Sequence, residues 1–406
     1  MNIKIYISVL YVFLIILFVS CHKDSSLITK ENNNDSKQIK SAKIVLPGKK
    51  IPSFGDLWLS TWAADDNLYM SWGDGIGPGT HYPVPAGVPV LDTALVVSSC
   101  EDSSAAVIVF CDNFCEVYNC DGVTPYSPRV ITQAGLFKLS GPVDAFQGCD
   151  GNDCIQGIHI PTGKPQFKFG TDPTKRRGDK PSSLVAYNGI IYWFGHQLMA
   201  EPKYGYLAFS NNGGKSWTEI PNSPWGANSN FRVMMVINMG RNFSLSKDGF
   251  VYLLGINGEL NWPPSPQKVY LARIGINEIT DYQSYRYFKG LNGEGKPIWS
   301  VEQDSAVALE NLNTISLGSA IYHPGVEKFI FLAVPNYPEG PALTLFYADN
   351  PWGPWMLAQK FDGEVYIPGI IPKDTGKNSF YFTAAGGGGV GDTYQLTIAK
   401  IEMMLE

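Results

Sequence analysis

Stretches that alternate aromatic or aliphatic residues with polar ones recur along the chain, each following a short turn. Alternation with a period of two predicts β-strands. Five such units lie at residues 65–73, 187–195, 247–255, 326–332 and 377–382. Further strands are predicted after three of them, at residues 206–210, 269–273 and 345–348. The first interval is about 120 residues long because it contains a cysteine-rich insertion, and the others are irregular at about 50–80 residues. Repeats of this spacing, with about four strands each, are typical of a β-propeller. The pattern therefore predicts an all-β fold, a five-bladed β-propeller.

The first unit belongs to an aromatic hairpin with an aspartate near each end, Asp56 and Asp74. A turn centred near Asp65 would place these two residues opposite each other at the open end. Two carboxylates a few ångströms apart, beside indole rings, are what acid/base cleavage of a glycosidic bond requires. The alternative is a structural role, because aspartate is common where strands end. Since strand ends from several blades converge at the mouth of a propeller's central channel, the hairpin favours a ligand pocket there.

Composition supports the all-β prediction and limits the classes of partner that are expected. Glycine (42 residues) and proline (28) are abundant, aromatic residues make up 13% of the chain, and charged residues only 17%. No long amphipathic helix is evident, which is typical of a fold with many turns. The net charge of −6 argues against a nucleic-acid partner and fits a neutral or cationic polymer better. Because no metal-ligand spacing, Gly-x-Ser-x-Gly elbow or Walker loop occurs, neither a cofactor nor a metal is predicted.

The N-terminus predicts a targeting segment. Lys4 precedes a nearly unbroken apolar run, and Phe18-Val19-Ser20-Cys21 resembles a bacterial lipobox, in which the cysteine becomes lipidated. An ordinary cleaved signal or a membrane anchor is the alternative, although the run is short for a span of about 20 residues. We therefore predict a lipoprotein signal peptide over residues 1–21, a flexible tether over 22–52, and one propeller domain over 53–406. The predicted location is the bacterial cell envelope, on the periplasmic side or the outer-membrane surface.

Six further cysteines are confined to one stretch of the chain: Cys100, Cys111, Cys115, Cys120, Cys149 and Cys154. An even count in an exported chain favours up to three disulfides in an insertion within or after the first blade. The sequence does not choose among the possible pairings. A metal site is the alternative, but neither a C-x-x-C pair nor a histidine lies among the six.

Residues 210–217 match the Asp-box pattern S-x-D-x-G-x-x-W, with Asn212 at the aspartate position. The pattern predicts a tight turn on the outer edge of a blade, with Trp217 packed between blades. Its role is structural.

A second group of residues is placed by sequence near strand ends, and each has a structural alternative. Lys180 and Ser182 are expected at the start of an inner strand, where they could bind sugar hydroxyls. Arg241 and Asn242 are expected to open another inner strand and to hold a sugar ring through several hydrogen bonds. Trp58 and Trp62 could stack on a sugar, although Trp62 favours core packing. His196 is expected on an inner strand, where it could contribute to the pocket, although a buried structural role is favoured.

The blocks Gly55–Ala63, Gly73–Gly75, 180–182, 240–243, 323–325 and 351–355 resemble a bacterial family of five-bladed propellers long catalogued without function. Some members of that family are endo-acting D-arabinanases. The resemblance covers about residues 53–400 and implies a glycoside hydrolase with catalytic aspartates at Asp56 and Asp74. The six cysteines depart from the family, which usually has a glycine-rich, cysteine-free connection there, so the rim of the pocket differs.

The two aspartates that the resemblance implies are expected to have different catalytic roles. Asp74 is the expected proton donor, because an apolar neighbourhood such as that of Trp72 raises the pKa of a carboxylic acid. Asp56 would be the general base or the nucleophile. The expected protein is a monomer acting on a polysaccharide. The alternatives are a non-catalytic glycan-binding surface lipoprotein and a sialidase-like enzyme, which would need an arginine triad and a nucleophilic tyrosine that cannot be placed here.

Overall fold

The computed structural model describes residues 38–51, 53–78, 106–109, 116–119, 132–144, 179–197, 203–258, 265–362, 365–385 and 396–406. They belong to one compact unit, Lys37–Glu406, which is built almost entirely of β-strands. The predicted signal peptide with Cys21, the first part of the predicted tether and all six clustered cysteines lie outside the described residues. No helix among the described residues is both long and apolar enough to cross a membrane.

The two ends of this unit meet in one sheet. Its order is β1-β26-β25-β24, with β1 (Ile39–Ile51), β26 (Leu396–Leu405), β25 (Ser379–Ala384) and β24 (Gly369–Ile370). The prediction of a flexible tether up to residue 52 is therefore wrong for residues 39–51. Ile39 and Ala42 are buried although their neighbours are polar, and the register shift between Ile39 and Ser41 lets two residues three positions apart lie on the covered face. We call this sheet the fifth.

The first sheet is organised around the long strand β4. On one edge β4 pairs with β2 and β3, and on the other with β7. The strands are β2 (Ser53–Asp56), β3 (Ser60–Trp62), β4 (Leu68–Pro78) and β7 (Thr132–Leu139). A separate antiparallel pair, β5 (Ala106–Val109) and β6 (Glu116–Asn119), falls between β4 and β7.

The second sheet has four antiparallel strands in simple sequence order. They are β8 (Asp179–Tyr187), β9 (Ile190–Gln197), β10 (Gly205–Ser210) and β11 (Thr218–Glu219). The turn between β8 and β9 is Asn188-Gly189, with φ of 49° and 78°. Positive φ at both positions is the geometry that Asn-Gly favours in a two-residue hairpin.

The third and fourth sheets are joined through their first strands, β12 and β18, which run parallel to each other. The third sheet holds β12 (Val233–Asn238), β13 (Phe250–Ile256), β14 (Gln267–Gly275), β15 (Arg286–Leu291), β16 (Pro297–Ser300) and β17 (Ala308–Thr314). The fourth holds β18 (Ser319–His323), β19 (Lys328–Ala333), β22 (Thr344–Ala348) and β23 (Met356–Lys360). A small hairpin, β20 (Asn336–Tyr337) with β21 (Gly340–Pro341), and three 3-10 turns, Arg241–Phe243, Tyr282–Ser284 and Gln303–Ser305, complete the described elements.

The five sequence repeats correspond to one kind of element. Each contains a turn followed by the second strand of a sheet, namely β4, β9, β13, β19 and β25. The strands predicted after three of the repeats are also present, as β10, β14 and β22. The repeat analysis therefore located corresponding strands in all five sheets.

Hydrophobic clusters connect the sheets in cyclic order. One cluster joins the first and second sheets, and a large one runs through the second, third and fourth. Another joins the fourth and fifth, and a last one joins the fifth back to the first. Burial of apolar area between facing sheets is the main stabilising term of such a fold. Because the clusters return to the first sheet, every sheet is covered on both faces.

The Asp-box turn is present between β10 and β11, as predicted. Ser210 Oγ accepts a hydrogen bond from the Gly214 N–H (2.8 Å), and Asn212 Oδ1 accepts one from the Ser216 N–H (3.0 Å). The Trp217 indole N–H donates to the Gly214 carbonyl at 3.1 Å, and its ring packs edge-on against Trp193 at 5.5 Å. Trp217 belongs to the cluster between the first and second sheets, which confirms its predicted packing role.

Candidate functional site

The predicted aromatic hairpin exists, but its two aspartates are offset by one position. Its turn lies at residues 63–67, where the Ala63 N–H donates to the Asn67 carbonyl at 3.0 Å. Asp56 pairs with Gly73, so Asp74 is the next residue along β4. Phe54 pairs with Gly77, so between these two pairs one residue of β2 faces three of β4. The prediction that Asp56 and Asp74 stand directly opposite each other is therefore wrong by one residue.

Asp56 ends β2 in a nearly inaccessible position, with 1% of its surface exposed. The Asp74 backbone lies in β4, while its side chain is outside the described part of the chain. The structure therefore brings the two aspartate backbones close together across one strand pair. It leaves the separation of the carboxylates undetermined.

A break in the inner edge of the first sheet positions Asp56. Between β2 and β3 the chain turns at Leu57, where φ is 54°, and the Leu59 N–H donates to the Leu57 carbonyl at 2.8 Å. The Ser71 hydroxyl donates to the same carbonyl at 2.8 Å from the facing strand. Irregularities of this kind re-aim side chains at strand ends. Ser71 was not singled out from the sequence, although a buried serine among aromatic residues was the available signal.

Two glycines leave the space that this arrangement needs. A Cβ on Gly73 would lie 2.5 Å from Asp56 Oδ1, and one on Gly55 would lie 2.8 Å from the Gly73 carbonyl oxygen. Gly55 also has a φ of +147°, which side-chain-bearing residues rarely adopt. Gly73 is therefore required by packing against the Asp56 carboxylate, and Gly55 by its own φ and by the close approach of the Gly73 backbone.

Three of the predicted binding residues come together in the second sheet. Lys180 begins β8, as expected, and pairs with His196 near the end of β9. Ser182 is the extra residue of a bulge in β8, and its hydroxyl lies 2.8 Å from His196 Nδ1. All three side chains are almost completely buried. His196 lies on the second strand of its sheet, which corrects its predicted placement on an inner strand.

The Lys180 cluster and Asp56 lie at corresponding ends of neighbouring strands. The Ala186 N–H donates to Thr61 Oγ1 at 3.0 Å, which fixes the stagger of β8 against β3. Lys180 precedes Ala186 by six positions and Asp56 precedes Thr61 by five, so both sit at the strand ends away from the turns. We call this side of the molecule the Asp56 face.

Both tryptophans of the hairpin pack with the hydrophobic cluster between the first and fifth sheets, which agrees with the packing role predicted for Trp62. Trp58 is completely buried between the first and fifth sheets and packs edge-on against Phe137 at 6.0 Å, so it is not placed to stack on a ligand. Trp62 is only partly buried, and its indole N–H donates to Asp66 Oδ1 at 2.9 Å. The predicted binding role of Trp58 is corrected, because the break at Leu57 turns its side chain into the core.

Arg241 and Asn242 do not join the Asp56 face. They form a 3-10 turn after β12 and do not open a strand, which contradicts the predicted placement. An Arg241 Nη2 donates to the Ala64 carbonyl at 2.5 Å, and Asn242 Oδ1 accepts from the Asn188 N–H at 2.8 Å. Both partners belong to turns between first and second strands. A strand such as β8 puts about 25 Å between its two ends, so these residues lie on the opposite side.

The turns between first and second strands gather on one side, which we call the turn face. It comprises residues 63–67, 187–190, 239–249, 323–328 and 371–378. Lys373 donates to the Asp66 carbonyl at 2.6 Å and lies 3.2 Å from Asp66 Oδ2, while Arg241 Nη1 lies 3.9 Å from Asp66 Oδ1. The Trp62 indole N–H and then Lys373 lower the pKa of Asp66. Asp66 thus links the turns of three sheets.

A narrow central cavity of about 10 Å³ lies between the first strands of the sheets, lined by residues including Ser60, Ser183, Asn238, Ser319 and Ile370. A space of this size holds at most one water molecule. Within the described ranges, no group of three or more His, Cys, Asp and Glu side chains gathers as a metal site would require.

Several solved structures match most of the chain at low similarity. A protein from Bacteroides ovatus ATCC 8483 proposed to be a hydrolase has 13% identity, with 87% of each chain covered and a TM-score of 0.48. A GH43_1 enzyme from Xanthomonas citri, complexed with xylotriose, has 10% identity, 89% of this chain and 92% of that chain covered, and a TM-score of 0.42. A protein of unknown function from Dyadobacter fermentans DSM 18053 has 10% identity, 91% and 100% coverage, and a TM-score of 0.36. Similarities at this level transfer no chemistry to the present chain.

No curated protein matches the sequence. A family profile matches residues 104–386, which is more than half of the chain. The match begins after Asp56 and Asp74, so the first hairpin lies outside it. On this match, the chain belongs to the family described as a domain of unknown function, DUF4185.

Proposed function

We propose that the protein is a glycoside hydrolase whose acid/base pair is Asp56 and Asp74. The observation that carries the proposal is the placement of Asp56, buried against Gly73 and one register position from Asp74. Gly73 leaves the space that the Asp56 carboxylate occupies. Two neighbouring carboxylates are the machinery of glycosidic cleavage.

The proposed architecture is a five-bladed β-propeller. Five groups of strands, clusters that run cyclically from one group to the next, and a fifth sheet made from both chain ends support it. Closing the ring with an N-terminal and a C-terminal strand removes an exposed sheet edge, which protects such folds from aggregation. In a propeller the strand ends on the Asp56 face surround one pocket.

In the proposed reaction Asp74 donates a proton to the oxygen of the leaving sugar as the glycosidic bond breaks. Asp56 acts on the opposite side of the sugar, either by removing a proton from the attacking water or by forming a glycosyl-enzyme that water then hydrolyses. The separation of the two carboxyl groups decides between inversion and retention. Lys180 and Ser182, at corresponding strand ends, are proposed to bind substrate hydroxyls.

The proposed substrate is a polysaccharide with D-arabinan-type furanosides, cut internally. The resemblance of the Gly55–Ala63 and Gly73–Gly75 blocks to propellers that cleave arabinan supports it. The protein is proposed to act as a monomer, held at the cell envelope by a lipid on Cys21, since its first residues resemble a lipoprotein signal. The six clustered cysteines are proposed to form disulfides.

The aspartate pair is tested by incubating the protein and its Asp56→Asn and Asp74→Asn variants with arabinans, galactans and mycobacterial cell-wall polysaccharide. Release of new reducing ends is measured, and the stereochemistry of the product is followed by NMR. Each variant is expected to lose at least about 100-fold in rate, because a positioned acid or base contributes that much. Asp304→Asn, at an exposed aspartate of the third sheet, is the matched control and should keep full activity.

Circular dichroism and thermal melting separate lost chemistry from lost folding. Full activity in both folded variants would refute the assignment of the pair. Binding of a polysaccharide by the unmodified protein without any product would favour the alternative, a non-catalytic glycan-binding lipoprotein.

A further inference from the structure

A second concave site lies on the turn face, between the third and fourth sheets. It is a cavity of about 240 Å³ whose walls come from the 239–252 segment and from two turns of the fourth sheet. Pockets for drug-sized ligands occupy roughly 300–1,000 Å³, so this one suits a single small ring. It is separated from Asp56 by the length of the strands.

One side of the cavity is aromatic. Tyr322 and Phe329 face each other on β18 and β19, with ring centroids 5.1 Å apart. Trp352, in the loop after β22, and Tyr252 on β13 line the same space. Tyr322, Phe329 and Trp352 are only partly buried, which leaves apolar ring surface at the edge of the core. Such surface favours a ligand with an apolar face.

The remaining side is formed by carboxylates at the ends of turns. Asp248 Oδ2 accepts a hydrogen bond from the Tyr252 hydroxyl at 2.6 Å, and Asp248 Oδ1 accepts from the Phe250 N–H at 3.1 Å. Asp349 forms a close ion pair with the buried ammonium of Lys328. Glu327 is exposed at a turn residue with φ of 56°. Asp248 and Asp349 are therefore held at the opening by their partners, and Glu327 adds a third, exposed acceptor.

The polar groups select against an anion. Three carboxylates line the cavity against one exposed ammonium, that of Lys247, so the lining carries a net negative charge, and the nearby ammonium of Lys328 is paired with Asp349. Burial, and then Glu327, raises the pKa of Tyr322, while burial and the hydrogen bond to Asp248 raise the pKa of Tyr252. Both phenols therefore stay neutral at physiological pH. A neutral ring carrying hydroxyl donors matches acceptors beside aromatic surface, because charge-assisted hydrogen bonds to carboxylates are strong.

We propose that this cavity binds one neutral sugar unit of a saccharide. The apolar face of the ring packs against Trp352 and the Tyr322–Phe329 pair, and its hydroxyls donate to Glu327, Asp248 and Asp349. The site lies on the face opposite Asp56 and needs no chemistry there. It would hold a glycan chain whether or not the protein cleaves it.

Binding is tested by calorimetry and saturation-transfer NMR with D-arabinose, D-galactose, D-glucose and their methyl glycosides, and with choline as a cationic probe. At least one neutral sugar should bind. Trp352→Ala and Glu327→Gln should weaken that binding about tenfold, since one aromatic contact or one charged acceptor is worth roughly that factor. Glu294→Gln, at an exposed glutamate of the third sheet, is the matched control.

Asp56→Asn distinguishes the two faces and should bind the sugar as the unmodified protein does. The result that overturns the proposal is no binding of any sugar, binding of choline alone, or sugar binding that Glu327→Gln and a folded Trp352→Ala both leave unchanged. If Asp56→Asn lost sugar binding, the ligand would be assigned to the Asp56 face, and the proposed site on the turn face would be refuted. None of these outcomes depends on whether the protein cleaves a polysaccharide.

Discussion

At the scale of single residues, Asp66 shows how one polar side chain can hold distant turns together. It accepts the Trp62 indole N–H in its own hairpin and pairs with Lys373 of the fifth sheet and Arg241 of the third. Lys373 is almost completely buried, so its ammonium depends on this partner. Removing Asp66 leaves the buried charge of Lys373 without this partner, which lowers stability more than the exposure of Asp66 alone would suggest.

We expect Asp66→Asn to lower the melting temperature by a few degrees near pH 7, because a half-exposed ion pair is worth little while the buried Lys373 loses its counter-charge. The pKa of Asp66 is lowered in the folded state, so its stabilisation is present above the unfolded value near 3.8 and is lost as the pH falls through the folded pKa. Thermal melts from pH 2 to 7 should show that the difference in melting temperature between the unmodified protein and Asp66→Asn becomes smaller as the pH falls. A difference that is constant over this range would contradict the linkage.

At the scale of elements, the turn between β10 and β11 depends on side chains that replace backbone pairing. Asn212 accepts hydrogen bonds from the Ser216 N–H and the Ser210 hydroxyl, and it donates to Ser216 Oγ at 2.7 Å. Gly213 and Gly214, with φ of 70° and 88°, provide the backbone conformation that the turn requires. The turn in turn fixes Trp217 between two sheets.

Asn212→Ala is expected to reduce the free energy of unfolding by about 1–2 kcal/mol, because the Ser216 N–H loses its hydrogen-bond acceptor. Asn212→Asp keeps the acceptor and should cost less. Urea denaturation measures both, with Asn211→Ala at the neighbouring exposed asparagine as control. Equal effects of the two alanine substitutions would show that the hydrogen bonds of Asn212 contribute nothing.

The hairpin elements show where sequence prediction succeeds. The second strands of all five sheets were predicted because period-two alternation after a turn is a local property of the chain. The predicted binding role of Trp58 was wrong because a single break at Leu57 changes the face on which Trp58 lies. No local pattern marks such a break.

At the scale of the whole molecule, strands from the two ends of the described unit pair in the fifth sheet. β1 pairs with β26 from Ile39 to Ile51, and Ala42 is buried in the cluster that joins the fourth and fifth sheets. The next residue, Lys43, is exposed and lies 3.8 Å from Glu402. Substitutions at these two adjacent positions of β1 should therefore differ in their effect on stability.

We expect Ala42→Asp to destabilise the protein by more than about 3 kcal/mol, because it buries a charge without a partner. Lys43→Ala should cost less than about 1 kcal/mol, since it removes only an exposed ion pair. Chemical denaturation followed by tryptophan fluorescence measures both. If Ala42→Asp proved as mild as Lys43→Ala, β1 would contribute no closure to the fold.

The sequence by itself determined the all-β class, the repeated second strands, the Asp-box turn and the closeness of Asp56 to Gly73-Asp74, because each depends on residues near one another in the chain. Only the tertiary structure decided that residues 39–51 complete the last sheet, that Trp58 packs on Phe137, and that Arg241 and Asn242 belong to the turn face. Each of these depends on a partner that is distant in sequence. Sequence patterns record the local preference of a segment, whereas the surface that covers it is set by packing of the whole chain.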